Sequence, residues 1–360
     1  MSDTALRMQS TGVKPLDRYD RHQTYEWNCE NVPAPRDLDV PSLPGDWRFC
    51  GRRVASPLGV AAGPLLNGAW CLYYASLGFD VLTYKTVRSR ERPCYPWPNL
   101  QPVTCGSLLG GESDLPAADD MLGSWAVSFG MPSKAPETWR RDIEATRRQL
   151  APEKVLSVSI VGTGEEGWGI EELADDYARC ARWAIESGAD CVETNFSCPN
   201  VATRDGQLYQ QPDDAATVAA QVRDAIGATP YIVKVGHLTS PDEMEALLEA
   251  LAPYINAVSM TNSVAATVVG RDGKRMFNGQ KRGICGAATF EASLAQVELA
   301  AKIVARMGLS IEIIGVGGAS TAEHVRRYLA AGAQSVHLAT AAMVNPTVAL
   351  DIRRDLAAAE

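Results

Sequence analysis

Eight short apolar segments alternate with longer segments of helical periodicity from residue 57 onward. Such alternation is typical of βαβ units, and it predicts parallel strands joined by helices. Eight parallel strands close into a barrel that leaves no exposed edge, so the number of segments predicts an α/β fold, the (β/α)8 or TIM barrel. The predicted strands are Leu58–Gly63, Val81–Val87, Val155–Gly162, Cys191–Phe196, Tyr231–Gly236, Ala257–Thr261, Ile311–Gly317 and Ser335–Thr340.

The segments between these strands carry signals for helix ends. Residues 240–243 (Ser-Pro-Asp-Glu) and 320–323 (Ser-Thr-Ala-Glu) have the spacing of capping boxes. The apolar residues of 170–186 follow helical spacing, and Gly188 predicts where that helix ends. Helices are therefore expected where a barrel of this kind requires them.

Three parts of the chain depart from this regular pattern. Residues 1–50 contain Pro, Trp and Tyr with little periodicity, and they predict an irregular N-terminal extension packed on a barrel domain of residues 51–360. The connections 88–154 and 262–290, after the second and sixth strands, are long, and long loops in compact domains are usually functional. Within the second of them, 264–284 is basic. We favour a solvated surface loop there over a site for an acidic substrate or a partner subunit. The basic residues are Arg271, Lys274, Arg275, Lys281 and Arg282.

Charge and composition disfavour several classes of partner. The net charge of −9 argues against nucleic acid and acidic membranes, both of which attract basic surfaces. No apolar run approaches the roughly 20 residues of a membrane span, and the first residues lack the apolar run of a signal peptide, so we expect a cytoplasmic protein. The nine cysteines form no CxxC pair or iron–sulfur pattern, and the four histidines show no ligand spacing, so no metal is expected.

Glycines and polar residues accumulate at the C-terminal ends of the predicted strands. In barrels of this kind the active site lies at that face. Lys85 and Lys234 lie inside apolar strands, where a lysine is costly unless it meets negative charge. A structural ion pair is one alternative. The favoured one is a functional role, since a lysine beside the pyrimidine side of a flavin can stabilise its anionic reduced form, and another can meet the substrate.

Gly317 and Gly318 follow the seventh strand and precede a predicted helix. Glycines let the backbone approach a phosphate, and the helix N-terminus favours an anion there. Thr340, from the eighth strand, can add a hydroxyl. An ordinary strand-to-helix turn is the alternative, but the position is the usual phosphate site of such barrels.

Asn195, Asn200 and Asn262 are amides at strand ends, and each can both donate and accept a hydrogen bond, which suits a cyclic imide or amide. Any one of them alone is more often a turn residue. Cys198 lies just beyond the fourth strand, and a thiol with a pKa near 8.5 can act as a general base or acid. A packed thiol is the alternative, and it is the one favoured for every other cysteine.

Residues 193–200, Glu-Thr-Asn-Phe-Ser-Cys-Pro-Asn, resemble the catalytic segment of class 1 dihydroorotate dehydrogenases and of the flavin domain of dihydropyrimidine dehydrogenase. The resemblance runs from about residue 54 to 345. It includes SPLGVAAG, the Lys-Thr pair after the second strand, VKV, MTNS, the turn at 283–286, GVGG and LAT. It implies an FMN-dependent oxidoreductase of pyrimidine metabolism that acts on a CH–CH bond of dihydroorotate or a related cyclic amide.

The resemblance also implies roles for residues. The FMN phosphate would bind Gly317, Gly318, Ala339 and Thr340. The rest of the cofactor would contact Ala61, Ala62, Gly63, Lys85, Thr86, Asn195, Lys234, Ser263 and Gly286. The substrate would contact Lys85, Asn195, Asn200, Asn262, Ser263, Phe129, Gly130 and Met131. Cys198, assisted by Lys85, would remove a proton from one ring carbon while hydride leaves the neighbouring carbon for flavin N5. Class 1 enzymes are dimers, so a homodimer is expected. Relatives with a membrane quinone acceptor carry serine at the position of Cys198.

Two departures from the family pattern bear on the substrate. Residues 127–133 match a motif like Asn-Ser-Met-Gly-Leu-Pro-Asn. Val127 stands in place of the first amide, and Phe129 stands in place of the methionine and so changes the wall of the substrate site. His337 replaces a more usual glutamine. The alternatives are therefore the same chemistry on a different ring, in the oxidative or the reductive direction, or a non-catalytic flavin-binding subunit. The acidic charge disfavours a tRNA-reducing dihydrouridine synthase. Fumarate, a quinone, oxygen and a partner reductase all stay open as electron acceptors.

Overall fold

A computed structural model of the chain describes residues 17–112, 114–197 and 207–358. Cys198 and Asn200 lie outside the described residues. In chain order, the strands are β1 (Trp47–Phe49), β2 (Arg52–Val54), β3 (Leu58–Val60), β4 (Val81–Val87), β5 (Leu100–Pro102), β6 (Leu115–Pro116), β7 (Ser124–Val127), β8 (Val155–Ile160), β9 (Cys191–Asn195), β10 (Tyr231–Lys234), β11 (Ala257–Met260), β12 (Val264–Ala266), β13 (Val268–Val269), β14 (Arg282–Gly286), β15 (Glu312–Val316) and β16 (Ser335–Leu338).

Eight of these strands close into a parallel barrel in the order β3, β4, β8, β9, β10, β11, β15 and β16, with β16 pairing back to β3. They are the eight strands predicted from the sequence, so the predicted fold class is confirmed. Their ends differ slightly, since the predicted Leu58–Gly63 is Leu58–Val60 in the structure. The glycines and polar residues that ended the predicted strands instead form the loops at the mouth of the barrel.

A helix follows each barrel strand and covers the outside of the barrel. The helices are α1 (Tyr25–Glu30), α2 (Gly68–Ser76), α3 (Pro136–Gln149), α4 (Ile170–Glu186), α5 (Pro212–Ile226), α6 (Pro241–Leu251), α7 (Phe290–Met307), α8 (Ala322–Ala330), α9 (Thr340–Val344) and α10 (Val348–Ala357). Ser240 caps α6 as predicted, accepting from the N–H of Glu243 at 3.3 Å. The predicted cap of α8 was wrong by one residue. Thr321 accepts from His324 N–H at 3.2 Å, while Ser320 lies against the ring of His324.

The two long connections do not remain irregular loops. Strands β5 and β7 of the first connection and β12 and β14 of the second form one antiparallel sheet in the order β12, β14, β7, β5. The short strands β6 and β13 join the same two connections in a parallel pair. The chain after strand two and the chain after strand six therefore build one structure at the mouth of the barrel.

This sheet corrects the interpretation of 264–284 as a solvated loop. Arg282 is only 6% exposed, and its Nε donates to Ser128 Oγ at 2.9 Å. Arg275 pairs with Asp114 of the other connection at 3.0 Å. Two of the basic residues of 264–284 therefore bind to the connection after the second barrel strand.

The described part of the N-terminal extension packs on the barrel. Tyr19 and Tyr25 are buried in the main core, and the carbonyl of Asn28 accepts from Trp70 Nε1 at 2.9 Å. At the opposite end of the barrel, the β1–β2 hairpin places Phe49 across the opening. The boundary between an extension of residues 1–50 and a domain of residues 51–360 stays a prediction.

Within the described ranges, no helix combines the length and apolar character needed to cross a bilayer. The cytoplasmic location and the homodimer stay predictions.

Candidate active site

Two adjoining cavities open at the C-terminal ends of the barrel strands, with volumes of about 290 Å³ and about 130 Å³. We call them the glycine cavity and the inner cavity. A larger cavity of about 450 Å³ lies beside the N-terminal helix α1, but it shares only Lys85 and Thr86 with the inner cavity. The two smaller cavities therefore hold the candidate site. Their walls have five residues in common, Asn262, Cys285, Val316, Ala339 and Thr340.

The glycine cavity brings together the residues predicted to hold a phosphate. Gly317, Gly318, Ala339 and Thr340 all line it, together with Gly286. Gly317 and Gly318 have φ of +133° and +68°, which disfavours any other residue. A Cβ on Gly317 would lie 2.1 Å from Ser293 Oγ, and one on Gly318 would lie 2.6 Å from Phe290 Cβ. Both glycines are therefore required by the backbone conformation and by packing against α7, and this glycine cradle in the cavity wall fits a phosphate group.

The inner cavity holds most of the other predicted cofactor residues. Its walls include Ala61, Ala62, Gly63, Lys85, Thr86, Asn195, Lys234 and Ser263. Lys234 is only 7% exposed, and no hydrogen bond or ion pair joins its ammonium to another side chain or carbonyl of the described residues. A buried ammonium without a partner is costly, so the position fits a bound group that presents electron-rich atoms to it.

Two of the three predicted amides meet at the edge of this cavity. Asn262 Nδ2 donates to Asn195 Oδ1 at 3.4 Å and also to the carbonyl of Ser197. Asn195 Oδ1 in turn accepts from the Ser197 N–H at 3.1 Å. These bonds fix the chain at Ser197, the residue before Cys198. The third amide, Asn200, lies with Cys198 outside the described residues.

Lys85 lies between the loop at Gly63 and an aromatic wall. Its Nζ donates to the carbonyl of Gly63 at 3.1 Å and lies 4.1 Å from the ring centroid of Phe129. The ring of Tyr25, from the N-terminal extension, lies 5.4 Å from the same ammonium. Burial raises the pKa of Tyr25 well above its usual value, so its phenol stays neutral. Sequence reasoning missed Tyr25, because nothing in an aperiodic segment 60 residues upstream signals this contact.

The segment that carries Phe129, Gly130 and Met131 lines the inner cavity and has an unusual backbone. Gly130 and Met131 have φ of +75° and +51°. Arg88, fully buried, holds this turn through a bond from its Nε to the Met131 carbonyl at 3.1 Å and from its N–H to Ser133 Oγ at 3.0 Å. Arg88 was not predicted either, although it directly follows strand β4 and lies three residues after Lys85.

Val127 lies at the end of β7 and lines the inner cavity with Trp125, Leu100 and Phe129. This wall is apolar at the position where the family motif carries an amide. The site therefore has a polar side, formed by barrel residues, and an apolar side, formed by the inserted sheet.

Burial shifts several pKa values around the site. It raises the pKa of Cys285, which lines both cavities, to about 11, so this residue is a thiol. Burial also raises the pKa of Glu193, although the Lys234 ammonium and the Ser159 hydroxyl partly offset that rise. Burial, and then Lys234, lower the pKa of His337 to about 3, so its ring is neutral.

The comparisons with known proteins agree with one another. The family model of dihydroorotate dehydrogenase matches residues 46–359. The chain is 32% identical to a dihydroorotate dehydrogenase of Dictyostelium discoideum, over 94% of this chain and 96% of that protein. It is 26% identical to the quinone-type enzyme of Bordetella pertussis, over 81% and 78% of the two chains. It is 27% identical to the catalytic subunit of the NAD(+)-type enzyme of Desulforudis audaxviator, over 86% and 90%.

A solved structure of dihydroorotate dehydrogenase from Eimeria tenella, in complex with ferulenol, is similar with a TM-score of 0.72. The similarity covers 96% of this chain and 93% of that one at 17% identity, which shows a shared fold.

Proposed function

The chain belongs to the dihydroorotate dehydrogenase family, whose enzymes are oxidoreductases acting on CH–CH groups, and from this premise we propose that it is an FMN-dependent enzyme that oxidises dihydroorotate or a related cyclic amide. One observation carries the cofactor proposal. The two adjoining cavities have a glycine cradle at one end and, at the other, the Lys234 ammonium, which has no hydrogen bond or ion pair among the described residues. These ends suit the phosphate and the ring system of one mononucleotide.

The residues present fit this cofactor. Gly317, Gly318 and Thr340 would hold its phosphate, and Lys234 and Thr86 would contact its ring system. When bound, FMN supplies the hydride acceptor of the reaction. Lys234 would stabilise negative charge on that ring system, because its ammonium is buried and has no competing hydrogen bond among the described residues.

The protein's own groups would orient the substrate and move its proton. Asn195 and Asn262 supply amide donors and acceptors at the edge of the inner cavity, and Lys85 supplies a cation there. Cys198 takes the proton from one ring carbon as hydride leaves the neighbouring carbon, so a C–C single bond becomes a double bond. In the reverse direction the same thiol returns the proton. The support for Cys198 is its place in the family motif, next to the fixed residue Ser197.

An anaerobic titration of the purified holoenzyme with dihydroorotate tests this function. Bleaching of the visible flavin absorbance, with orotate appearing in equal amount, is the expected result. A protein that binds FMN, is reduced by dithionite and does not respond to dihydroorotate would refute this substrate. A protein that binds no FMN after gentle purification would refute the enzyme and favour a non-catalytic role.

The role of Cys198 has its own test. Cys198→Ala should keep FMN and lose turnover by about 10²–10⁴-fold, the usual contribution of a general base. Cys105→Ala is the matched control, since Cys105 lines neither site cavity. A near-normal rate for Cys198→Ala would remove the thiol from the mechanism.

A second candidate function is the same chemistry on a different, less polar ring, in either direction. The apolar wall of Val127, Trp125 and Phe129 favours it, because a site lacking a hydrogen-bonding partner leaves part of a polar substrate unpaired. Val127→Asn should then raise the rate with dihydroorotate, while Val127→Ile, which stays apolar, should not. An unchanged rate with Val127→Asn would speak against this role of the wall.

The proposal includes a cytoplasmic homodimer, as in class 1 relatives, and leaves fumarate, a quinone, oxygen and a partner reductase open as electron acceptors. Size-exclusion chromatography with light scattering tests the dimer. Reoxidation of the reduced enzyme by fumarate, a quinone or oxygen tests the acceptor.

A further inference from the structure

The interior of the barrel below the inner cavity is polar. Five side chains there are at most 2% exposed and carry an oxygen or nitrogen with no hydrogen-bond partner among the described residues. Thr83 and Glu193 lie two residues before the cavity-lining Lys85 and Asn195, and alternate residues of a strand share a face, while His337 lines the glycine cavity. We call them the polar chamber. Its members are Thr83, Ser157, Glu193, Ser259 and His337.

Glu193 is the one acidic member of this chamber. It lies on β9 two residues before Asn195, and Asn195 is the register partner of Lys234 on β10. Glu193 does not line either site cavity, whereas Lys234 does. Glu193 Oε1 has no hydrogen-bond partner, and no ion pair joins it directly to Lys234 in the described part of the chain. The two groups nevertheless interact, since the Lys234 ammonium lowers the pKa of this buried carboxyl, and Glu193 lies outside the walls of both site cavities.

Two buried titratable groups that interact with Glu193 or with Lys234 carry no compensating charge. Cys191 and His337 are both fully buried, and burial raises the pKa of the thiol to about 12 and lowers that of the ring to about 3, so both are neutral. The Ser159 hydroxyl, which also lowers the pKa of Glu193, is neutral as well. Lys234 is thus the cation that can balance the carboxylate.

Resting on the proposed function, we propose that Glu193 is a positioning residue that acts through Lys234: its carboxylate shares the lysine's positive charge with the cofactor and so holds the cofactor's midpoint potential down. One ammonium cannot fully neutralise two anions. When negative charge reaches the cofactor, Lys234 stabilises it less in the presence of Glu193 than it would alone. Removing the carboxylate charge should therefore favour the reduced cofactor.

Glu193→Gln keeps the shape and removes the charge. We expect it to shift the equilibrium towards the reduced cofactor by about tenfold, the effect of one charge acting across roughly 10 Å in a protein interior. For a two-electron couple this is a rise in midpoint potential of about 30 mV. The measurement is a reductive titration of the FMN holoenzyme against a reference dye. Thr83→Val is the matched control, because it removes a neutral hydroxyl from the same chamber and should leave the potential unchanged.

A double-mutant cycle separates this role from a merely structural one. In a Lys234→Met background the Glu193→Gln substitution should raise the potential clearly less than in the wild-type background, because only the direct effect of the carboxylate charge remains there. If Glu193→Gln does not fold, Ser159→Ala replaces it, since loss of that hydroxyl weakens the ionised carboxylate and should raise the potential by a smaller amount.

The outcomes are distinct for the two proposals. This inference is overturned, and the proposed function still stands, if the protein is yellow and dithionite-reducible but Glu193→Gln leaves its potential unchanged or lowers it. The same holds if Glu193→Gln raises the potential equally in the Lys234→Met background. A protein that takes up no FMN overturns the proposed function and this inference with it.

Discussion

Replacement of His337 by glutamine should make the protein more resistant to mild acid. The imidazole is 1% exposed, and both ring nitrogens lack a hydrogen-bond partner among the described residues. The ring stacks on Phe49 at 5.5 Å between centroids and occupies the space left by Gly59, where a Cβ would lie 2.4 Å from it. Neither contact stabilises a protonated ring, and Lys234 repels one.

The size of the effect follows from the pKa shift. Burial lowers the pKa of His337 from 6.5 to about 3 in the folded protein, while the unfolded chain keeps a value near 6.5. Above pH 6.5 both states are neutral, so this residue adds no pH dependence. Below pH 6.5 the unfolded state binds a proton that the folded state rejects, and stability falls by about 1.4 kcal/mol per pH unit down to about pH 3. Between pH 6.5 and pH 5 the loss is about 2 kcal/mol.

Urea denaturation followed by tryptophan fluorescence at about pH 7.5 and about pH 5 measures this loss. The wild type should lose about 2 kcal/mol more than His337→Gln between the two conditions, with equal m-values. His22→Gln, at an exposed histidine, is the control and should behave as the wild type. Equal pH dependence in the wild type and His337→Gln would refute the reasoning, because it would mean that the buried ring accepts its proton at an ordinary pH.

Three further substitutions test the site and its support. Gly318→Ala should weaken FMN binding at least tenfold, measured by flavin fluorescence, because the residue has φ of +68° and no room for a Cβ. Arg353→Met should lower the free energy of unfolding by about 2 kcal/mol in urea, since it removes the more buried of the two cations that pair with the 1%-exposed carboxylate of Asp80 and leaves only Lys154. Phe129→Leu should weaken binding of orotate, followed by flavin absorbance, by about fivefold, roughly 1 kcal/mol, because it removes the ring over Lys85.

Each of these has a matched comparison. Gly106→Ala lies where a Cβ meets nothing within 4 Å and should bind FMN normally. Arg36→Met removes an exposed ion pair and should change stability by less than about 1 kcal/mol. Phe129→Tyr keeps the ring and should bind orotate as the wild type does. A variant and its comparison with the same result would contradict the corresponding argument.

The barrel could be predicted because its strands are buried on both faces. Val81–Val87 is buried at every position, and such strands appear in the sequence as continuous apolar runs. The polar residues after these runs were predictable for the same reason, since parallel strands end at one face of the barrel. The exact ends of the helices and strands were harder to predict from the sequence. The shift of the α8 cap from Ser320 to Thr321 shows that two adjacent capping residues look alike until one of them contacts a side chain such as His324.

The inserted sheet could not be predicted in the same way. Its strands are three to five residues long, too short for periodicity, and its central pairing spans more than 100 residues of chain, as Val127 pairs with Gly283. Tyr25 reaches Lys85 from a segment without any repeat. Contacts of this kind depend on where two insertions and an extension meet, and no local pattern records that.

This difference separates the two halves of the site physically. The cofactor half, with Lys234 and Gly318, is formed by barrel strands and their ends, whose positions are constrained by the closed ladder of hydrogen bonds. The apolar wall at Val127 and Phe129 belongs to the inserted sheet, which is attached to the barrel but forms none of its ladder. Side chains of that wall can therefore change without disturbing the residues proposed to hold FMN. A family member can thus keep the flavin chemistry while its ring substrate changes, and that is why the titration with dihydroorotate and the measurement of FMN binding must be made separately.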